Sequence, residues 1–315
     1  MAEHFEQDGS KLYATLAASY AGDPLVRAIV GKEAGWDAPL RLFAGVHYLE
    51  VSGVVRHPWP KFHGVLEAYR EWLSRFVAEQ PVQTNEVQRS WALLPAFLTI
   101  ARAGDRPLDL IELGPSAGLN LMWDRYRYVY ATGTWGSRSA RLQLSADDRA
   151  SPPADLLRTQ AVVRRRMGVD QQPIDVTTDH GTHLVQAFVW ADQADRLERV
   201  RAAIQEVRHD PPELLQGDYV ELLPTLLAQR EHDALTVVFE TASRLYLPVE
   251  ARIRLRAAVE DAGAAGPLAW LATQTRYEDE TGGEGYALEL AVWPCGRSRV
   301  VARLGHHGQW LEWRG

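Results

Sequence analysis

The sequence predicts an α/β protein in which helices cover both faces of a mostly parallel sheet. Three observations support this prediction. Residues 1–106 carry helical periodicity, residues from 108 onward alternate apolar runs of strand length with amphipathic helices, and residues 286–304 hold two runs joined by a Pro-Cys-Gly turn. Alternating strands and helices imply a doubly wound parallel sheet. We therefore expect a helical N-terminal cap over residues 1–106 and a sheet domain over residues 107–315 that closes on an antiparallel hairpin.

The helical cap is best defined at its end. Apolar residues recur at helical spacing throughout Lys61–Gln80, which predicts one amphipathic helix ended by Pro81. The side chain of Asn85 can cap a second helix over residues 86–102, because its oxygen can accept from free backbone N–H groups.

The sheet domain begins with a short apolar run, a glycine-containing turn and a helix. The alternation of Tyr126, Tyr128 and Tyr130 predicts a strand and an inserted hairpin near residues 125–145. The remaining strands are predicted in order at Leu108–Leu113, Ala161–Arg165, Leu235–Glu240, Pro267–Thr273, Tyr286–Trp293 and Arg299–Leu304.

Composition excludes several classes of protein. Charged residues make up 24% of the 315 residues and hydrophobic residues 46%, which is typical of a globular chain. The net charge of −7 disfavours a nucleic-acid partner. Cys295 is the one cysteine, so no disulfide forms within the chain. Because no apolar run is long enough to span a membrane and the N-terminus is acidic, we expect a cytoplasmic protein without a membrane partner.

The turn after the first strand permits two interpretations. In the first, Gly114 and Gly118 let the backbone turn beside a nucleotide-type ligand at the carboxyl end of the strand. The acid Glu112, two residues before the first glycine, resembles the first motif of S-adenosylmethionine-dependent methyltransferases. The dinucleotide fingerprint requires further glycines that this turn lacks.

In the second interpretation, the run from Gly114 to Gly118 is the G-x-S-x-G elbow of a serine hydrolase. Ser116 would be the nucleophile, and His306 or His307 would complete the triad. That elbow normally follows several strands, whereas the residues before 108 predict helices. A ligand-binding protein without turnover is a third alternative.

Acids at later strand ends favour the first interpretation. Asp170 follows the second strand, where a methyltransferase holds the ribose hydroxyls. A further strand at Leu214–Gln216, third in this series, precedes Asp218, which would lie beside the adenine. Glu240 ends the fourth strand and would face the cleft as a general base. The sequence therefore predicts methyl transfer from S-adenosylmethionine to an unidentified small molecule.

Nearly the whole chain resembles an uncharacterised bacterial family known as a domain of unknown function, with a methyltransferase-like core. The family brings no established activity or substrate. Its segment before the Tyr-Leu-Pro of residues 246–248 carries tryptophan and glutamine, where this chain has Arg244 and Leu245. The motifs that carry the resemblance include Gln83-Thr84-Asn85-Glu86, Ser116-Ala117-Gly118-Leu119-Asn120-Leu121 and Trp123-Asp124-Arg125-Tyr126-Arg127-Tyr128.

Together these observations predict a class I methyltransferase (Rossmann-like) domain and three sets of site residues. We expect no metal, because His180 and His183 lack a third ligand. The cofactor-binding set is Glu112, Gly114, Ser116, Gly118, Asn120, Asp170 and Asp218; the catalytic set is Glu240 and Tyr246; the substrate-binding set is Gln83, Asn85, Glu86, Arg89 and Tyr126.

Overall fold

The computed structural model describes residues 5–6, 9–31, 35–274 and 285–315. Their contacts divide the chain into two compact units, Met1–Asn85 with Ile174–Ile204 and Glu86–Pro173 with Gln205–Gly315. The predicted division at residue 106 differs from this one in two ways. The helix before the first strand belongs to the second unit, and a segment from the middle of the chain belongs to the first.

The first unit is helical around an aromatic core. Phe43 and Tyr13 lie with ring centroids 4.8 Å apart, and Trp59 and Trp190 pack against Tyr13. Ser10 caps the first helix by accepting from the N–H of Tyr13. The helices are α1 (Lys11–Ser19), α2 (Pro24–Val30), α3 (Ala38–Val51), α4 (Phe62–Ala68), α5 (Arg70–Glu79), α7 (Asp179–Ala187) and the start of α8 (Ala194–His209).

The prediction of one helix over Lys61–Gln80 is wrong. Tyr69 leaves the helical region, with φ −115° and ψ 19°, and separates α4 from α5. Both helices bury apolar residues, among them Leu66 and Leu73. The apolar spacing therefore reports burial correctly, but it does not report a break in the backbone.

The second unit contains a mixed nine-stranded sheet with helices on both sides. Its strand order is β5-β12-β11-β10-β9-β8-β1-β6-β7. Strands β7, β6, β1, β8 and β9 are mutually parallel, and β9 to β12 pair antiparallel. The strands are β1 (Leu108–Leu113), β5 (Asp147–Ala150), β6 (Val163–Asp170), β7 (Glu213–Gln216), β8 (Leu235–Glu240), β9 (Leu268–Gln274), β10 (Tyr286–Val292), β11 (Arg299–Leu304) and β12 (Trp310–Trp313).

A small second sheet contains the hairpin predicted near residues 125–145 and adds a third strand to it. Strand β2 (Arg127–Tyr130) pairs antiparallel with β3 (Gly133–Trp135), which lies inside the expected turn, and parallel with β4 (Gln143–Leu144). The expected helix after the glycine turn is only a 3-10 helix, Asn120–Arg125. The alternating tyrosines are nevertheless buried, since they pack towards the core of this unit.

One face of the large sheet is covered by α6 (Arg89–Gly104). The ring of Phe97 stacks on Trp123 at 4.5 Å and meets Phe239 of β8 edge-on at 5.2 Å. The expected cap at Asn85 is wrong, because the helix begins at Arg89 after Gln88 and carries no side-chain cap bond. Tertiary burial, rather than capping, defines its start.

The opposite face is covered by α9 (Tyr219–Ala228) and α10 (Val249–Ala265). Ile111 and Val238 of the sheet share an apolar core with Leu223 of α9 and Leu255 of α10. Since successive strand residues point to opposite faces, β1 and β8 are buried on both sides. Among the helices in the described part of the chain, none is both long and apolar enough to cross a bilayer.

A glycine in α10 provides a test of packing on this face, and a glycine in α4 of the first unit provides its control. Gly263 of α10 faces the indole of Trp293, and an added methyl group would collide with the ring. Gly64 of α4 has nothing within 4 Å. We expect Gly263→Ala to lower the free energy of unfolding by about 1–3 kcal/mol through overpacking, whereas Gly64→Ala raises it by up to about 1 kcal/mol through helix propensity. Chemical denaturation of both variants measures this; equal effects of the two substitutions would contradict the described packing.

Candidate functional site at the carboxyl edge of the sheet

Three parallel strands end side by side at the predicted site. Leu113 of β1 lies opposite Val169 of β6 on one side and Glu240 of β8 on the other. The following turn has positive φ at Gly114 (73°), Ser116 (52°) and Gly118 (74°). Glycine adopts this region freely, whereas serine does so at a cost. The strained serine therefore needs support from its neighbours.

Asp170 provides that support. Its Oδ2 accepts from the backbone N–H of Ser116 at 2.9 Å, and its Oδ1 accepts from the N–H of Gln172 at 2.9 Å. A carboxylate that accepts from two backbone N–H groups forms charge-assisted bonds. The predicted ribose-binding acid therefore also fixes the shape of the turn, and its side chain remains partly exposed.

Close packing explains the two glycines of the turn. A methyl group on Gly114 would lie 2.6 Å from the Cβ of Ser243, whose hydroxyl donates to the carbonyl of Leu113 at 2.6 Å. A methyl group on Gly118 would lie 2.9 Å from Pro212. The glycines thus admit protein side chains. The contact of Ser243 was not predicted from the sequence, because a serine in a loop carries no signal of its tertiary partner.

Glu112 is a buried carboxyl group beside this turn. It is 1% exposed, and its Oε2 has no hydrogen-bond partner among the described residues. Burial, reinforced by the charges of Asp170 and Glu240 and opposed by the charge of Arg89, raises the pKa of Glu112 to about 8. The group is therefore mostly protonated at neutral pH, and it would ionise when a cation approaches it.

Two hydroxyl groups complete the polar surface on this side. The Oγ of Ser116 is buried and has no hydrogen-bond partner within the described part of the chain. Asn120 accepts at its Oδ1 from the hydroxyl of Ser90 at 2.7 Å, which ties the end of the turn to the start of α6. The Oε2 of Glu112 and the Oγ of Ser116 belong to the same segment at the end of β1, beside Asp170, so the turn is a candidate ligand site.

The start of α6 lies at the same edge, as the short connection from α6 to β1 predicts. Arg89 donates from Nη1 to the carbonyl of Thr241, directly after β8, at 3.0 Å. At the other end of the helix, Gly104 packs against Leu235, the first residue of β8. Helix α6 therefore runs antiparallel to the strand, and Arg89 lies at the carboxyl end of β8.

The other residues expected to bind substrate are placed differently. Glu86 is buried, with Oε2 3.6 Å from Nδ1 of His307. Tyr126 is fully buried and its hydroxyl donates to the carbonyl of Leu119 at 2.6 Å, which supports the turn from within. Gln83 and Asn85 belong to the first unit, and their role in substrate binding stays a prediction.

The two predicted catalytic residues differ in exposure. Glu240 is fully buried; its Oε1 accepts from the backbone N–H of Thr273 at 2.7 Å, and its Oε2 accepts from the N–H of Arg244 at 3.2 Å. Burial raises the pKa of Glu240. These contacts favour a structural role. Tyr246, by contrast, is 83% exposed.

Asp218, from the predicted cofactor-binding set, caps α9 by accepting from the N–H of Val220.

Within the described ranges, no three His, Cys, Asp or Glu side chains group as metal ligands would.

A family model described as "Uncharacterized protein conserved in bacteria (DUF2332)" matches residues 1–313. The chain belongs to the DUF2332 family. This confirms the predicted resemblance over nearly the whole length, and the family's description names no activity. A search of the curated proteins finds no match to this DUF2332 chain.

The raised pKa of Glu112 predicts a pH-dependent stability. Between the ordinary value of 4.5 and about 8, the unfolded chain ionises this carboxyl while the folded chain keeps it protonated. The free energy of unfolding therefore falls as pH rises through this window, by at most about 1.4 kcal/mol per pH unit. Glu112→Gln cannot ionise and should lose less stability than the wild type. Urea denaturation of both proteins at pH 5, 6, 7 and 8 measures the difference, and parallel curves would refute it.

Proposed function

We propose that this protein is an S-adenosylmethionine-dependent methyltransferase that acts on a small molecule. The proposal rests on the turn at the end of β1. Numbered in chain order, the five parallel strands are arranged third, second, first, fourth, fifth. This is the order of doubly wound nucleotide-binding sheets, whose ligands lie at the carboxyl edge where the winding reverses. The turn from Gly114 to Gly118 follows the strand at that position.

The polar groups around the turn fit the chemistry of this cofactor. The carboxyl of Glu112, with its unpartnered oxygen, suits the cationic amino group of the cofactor. Approach of that cation lowers the pKa of a carboxyl group, so Glu112 would release its proton on binding. The carboxylate of Asp170 has lone pairs left for ribose hydroxyls, and Ser116 offers a free hydroxyl. When bound, S-adenosylmethionine supplies an electrophilic methyl group.

The contribution of the protein to such a reaction is chiefly orientation. Methyl transfer depends on holding the nucleophile in line with the methyl carbon at close range. The edge of the sheet offers a rigid frame for this, since β1, β6 and β8 are fixed by register and Asp170 fixes the turn. The hydrogen bonds that Glu240 accepts leave it poorly suited to act as a general base.

Binding of S-adenosylhomocysteine tests the proposal directly. We expect calorimetry to detect one site per chain and the melting temperature to rise with ligand concentration. Asp170→Asn should weaken binding about tenfold, the loss expected for one charge-assisted hydrogen bond of about 1.5 kcal/mol. The matched control is Asp233→Asn, which removes an exposed acid paired with Arg164 just before β8, at the opposite edge of the sheet.

Two outcomes of that experiment would count against the proposal. Absence of both heat and thermal shift at millimolar S-adenosylhomocysteine would reject a methyltransferase. Equal weakening by Asp170→Asn and Asp233→Asn would reject the carboxyl edge as the binding site while leaving the ligand class open.

A serine hydrolase is the second candidate, and one observation favours it. Ser116 has a strained positive φ, as a nucleophile on a sharp turn after a strand has. Its Oγ is buried, whereas the Oγ of such a nucleophile is exposed. The backbone N–H of Ser116, however, is used by Asp170.

A fluorophosphonate probe separates the two functions. The hydrolase requires covalent labelling that Ser116→Ala abolishes. We expect no labelling, and we expect Ser116→Ala to retain most of the affinity for S-adenosylhomocysteine, because alanine preserves the backbone contact with Asp170. Stoichiometric labelling at Ser116 would reverse this assignment.

A further inference from the structure

Arg89 is a buried cation at the carboxyl edge of the sheet. Its side chain donates from Nε to the carbonyl of His306 at 2.8 Å and from Nη1 to the carbonyl of Thr241 at 3.0 Å. The residue is 7% exposed. These two bonds join the start of α6 to the segments that follow β8 and β11, and they hold the guanidinium in a fixed orientation.

No acid compensates this charge at close range. Among the described residues, no carboxylate oxygen lies within 4.0 Å of the Arg89 guanidinium. Glu240 is engaged by Thr273 and Arg244. The charge of Arg89 lowers the pKa of Glu112, but burial outweighs this effect, and the carboxyl group stays mostly protonated at pH 7. A buried cation without an anionic partner is costly, and a ligand anion would offset that cost.

An aromatic pair lies beside the segment that Arg89 contacts. Burial raises the pKa of Tyr286, and the charge of Arg89 opposes this rise. The ring of Tyr286 lies 4.5 Å from the imidazole of His306. With Nε and one N–H of Nη1 engaged, the donors of Nη2 and the second N–H of Nη1 remain for a carboxylate. The adjacent rings suit a flat apolar group.

We propose that Arg89 binds a carboxylate of the methyl acceptor, so that the small-molecule substrate is an organic acid. The description of this ligand as a methyl acceptor rests on the function proposed above. The recognition of the anion itself depends only on Arg89 and its surroundings, so the two proposals can fail separately.

The experiment uses benzoate as the probe and benzamide as its neutral isostere. On the wild-type protein, at constant ionic strength, ligand-observed NMR titration should give benzoate an affinity at least tenfold higher than that of benzamide. Arg89→Gln retains a donor for the carbonyls but removes the charge, and it should lower the benzoate affinity at least tenfold. Arg89→Lys should retain part of the affinity, because it keeps the charge without the fork.

Arg102→Gln is the matched control. Arg102 lies on the same helix, thirteen residues or about 20 Å along it, and pairs with exposed Asp155. This variant should bind benzoate as the wild type does. If Arg89→Gln does not fold, the comparison of benzoate with benzamide on the wild type and on Arg89→Lys still decides the question.

The same variants are titrated with S-adenosylhomocysteine and with 5′-methylthioadenosine, which lacks the amino-acid moiety. If Arg89→Gln weakens only S-adenosylhomocysteine, Arg89 serves the carboxylate of the cofactor and the acceptor proposal is overturned. Equal affinity of the wild type for benzoate and benzamide also overturns it. Binding of benzoate through Arg89 in a protein that does not bind S-adenosylhomocysteine supports the anion site and rejects the methyltransferase.

Discussion

Burial of helix α6 is the constraint on which the second unit depends. Of its 16 residues, 12 are buried, including the polar pair Arg89 and Ser90 at its start. A helix that is buried on nearly every side must pair its polar side chains within the protein. Here the carbonyls of Thr241 and His306 accept from the side chain of Arg89, and the amide oxygen of Asn120 accepts from the hydroxyl of Ser90. Packing of the helix therefore brings three distant segments to one edge of the sheet.

The electrostatic character of this edge follows from the same burial. Carboxyl groups at Glu112 and Glu240 are removed from water, and the pKa of each is raised. Asp170 stays partly exposed and is stabilised by backbone N–H groups. Three acids on neighbouring strands therefore differ in role because their surroundings differ. The Oε2 of Glu112 is buried without a hydrogen-bond partner among the described residues, Glu240 accepts from Thr273 and Arg244, and Asp170 anchors the turn.

Sequence reasoning predicted the central strands best. The bounds of β1 and β8 agree with the structure because both are apolar runs bounded by charged or glycine-containing turns. Strands β5 and β12 were not predicted; they are short, lie at the edge of the sheet and come from distant parts of the chain. The position of Arg89 could be predicted, since a short loop forces α6 to run back along β1. The contact of Ser243 with Gly114 could not, since it arises from tertiary packing alone.

That contact has an evolutionary consequence. The Cβ of Ser243 occupies the space that any side chain at Gly114 would need. A side chain at Gly114 would therefore require the loss of the Ser243 side chain or a shift of its loop. In an alignment of homologues the two positions should covary as a linked pair, although they are far apart in the chain. Whether a substitution is tolerated at Gly114, in the turn after β1, thus depends on the residue at position 243, in the loop after β8.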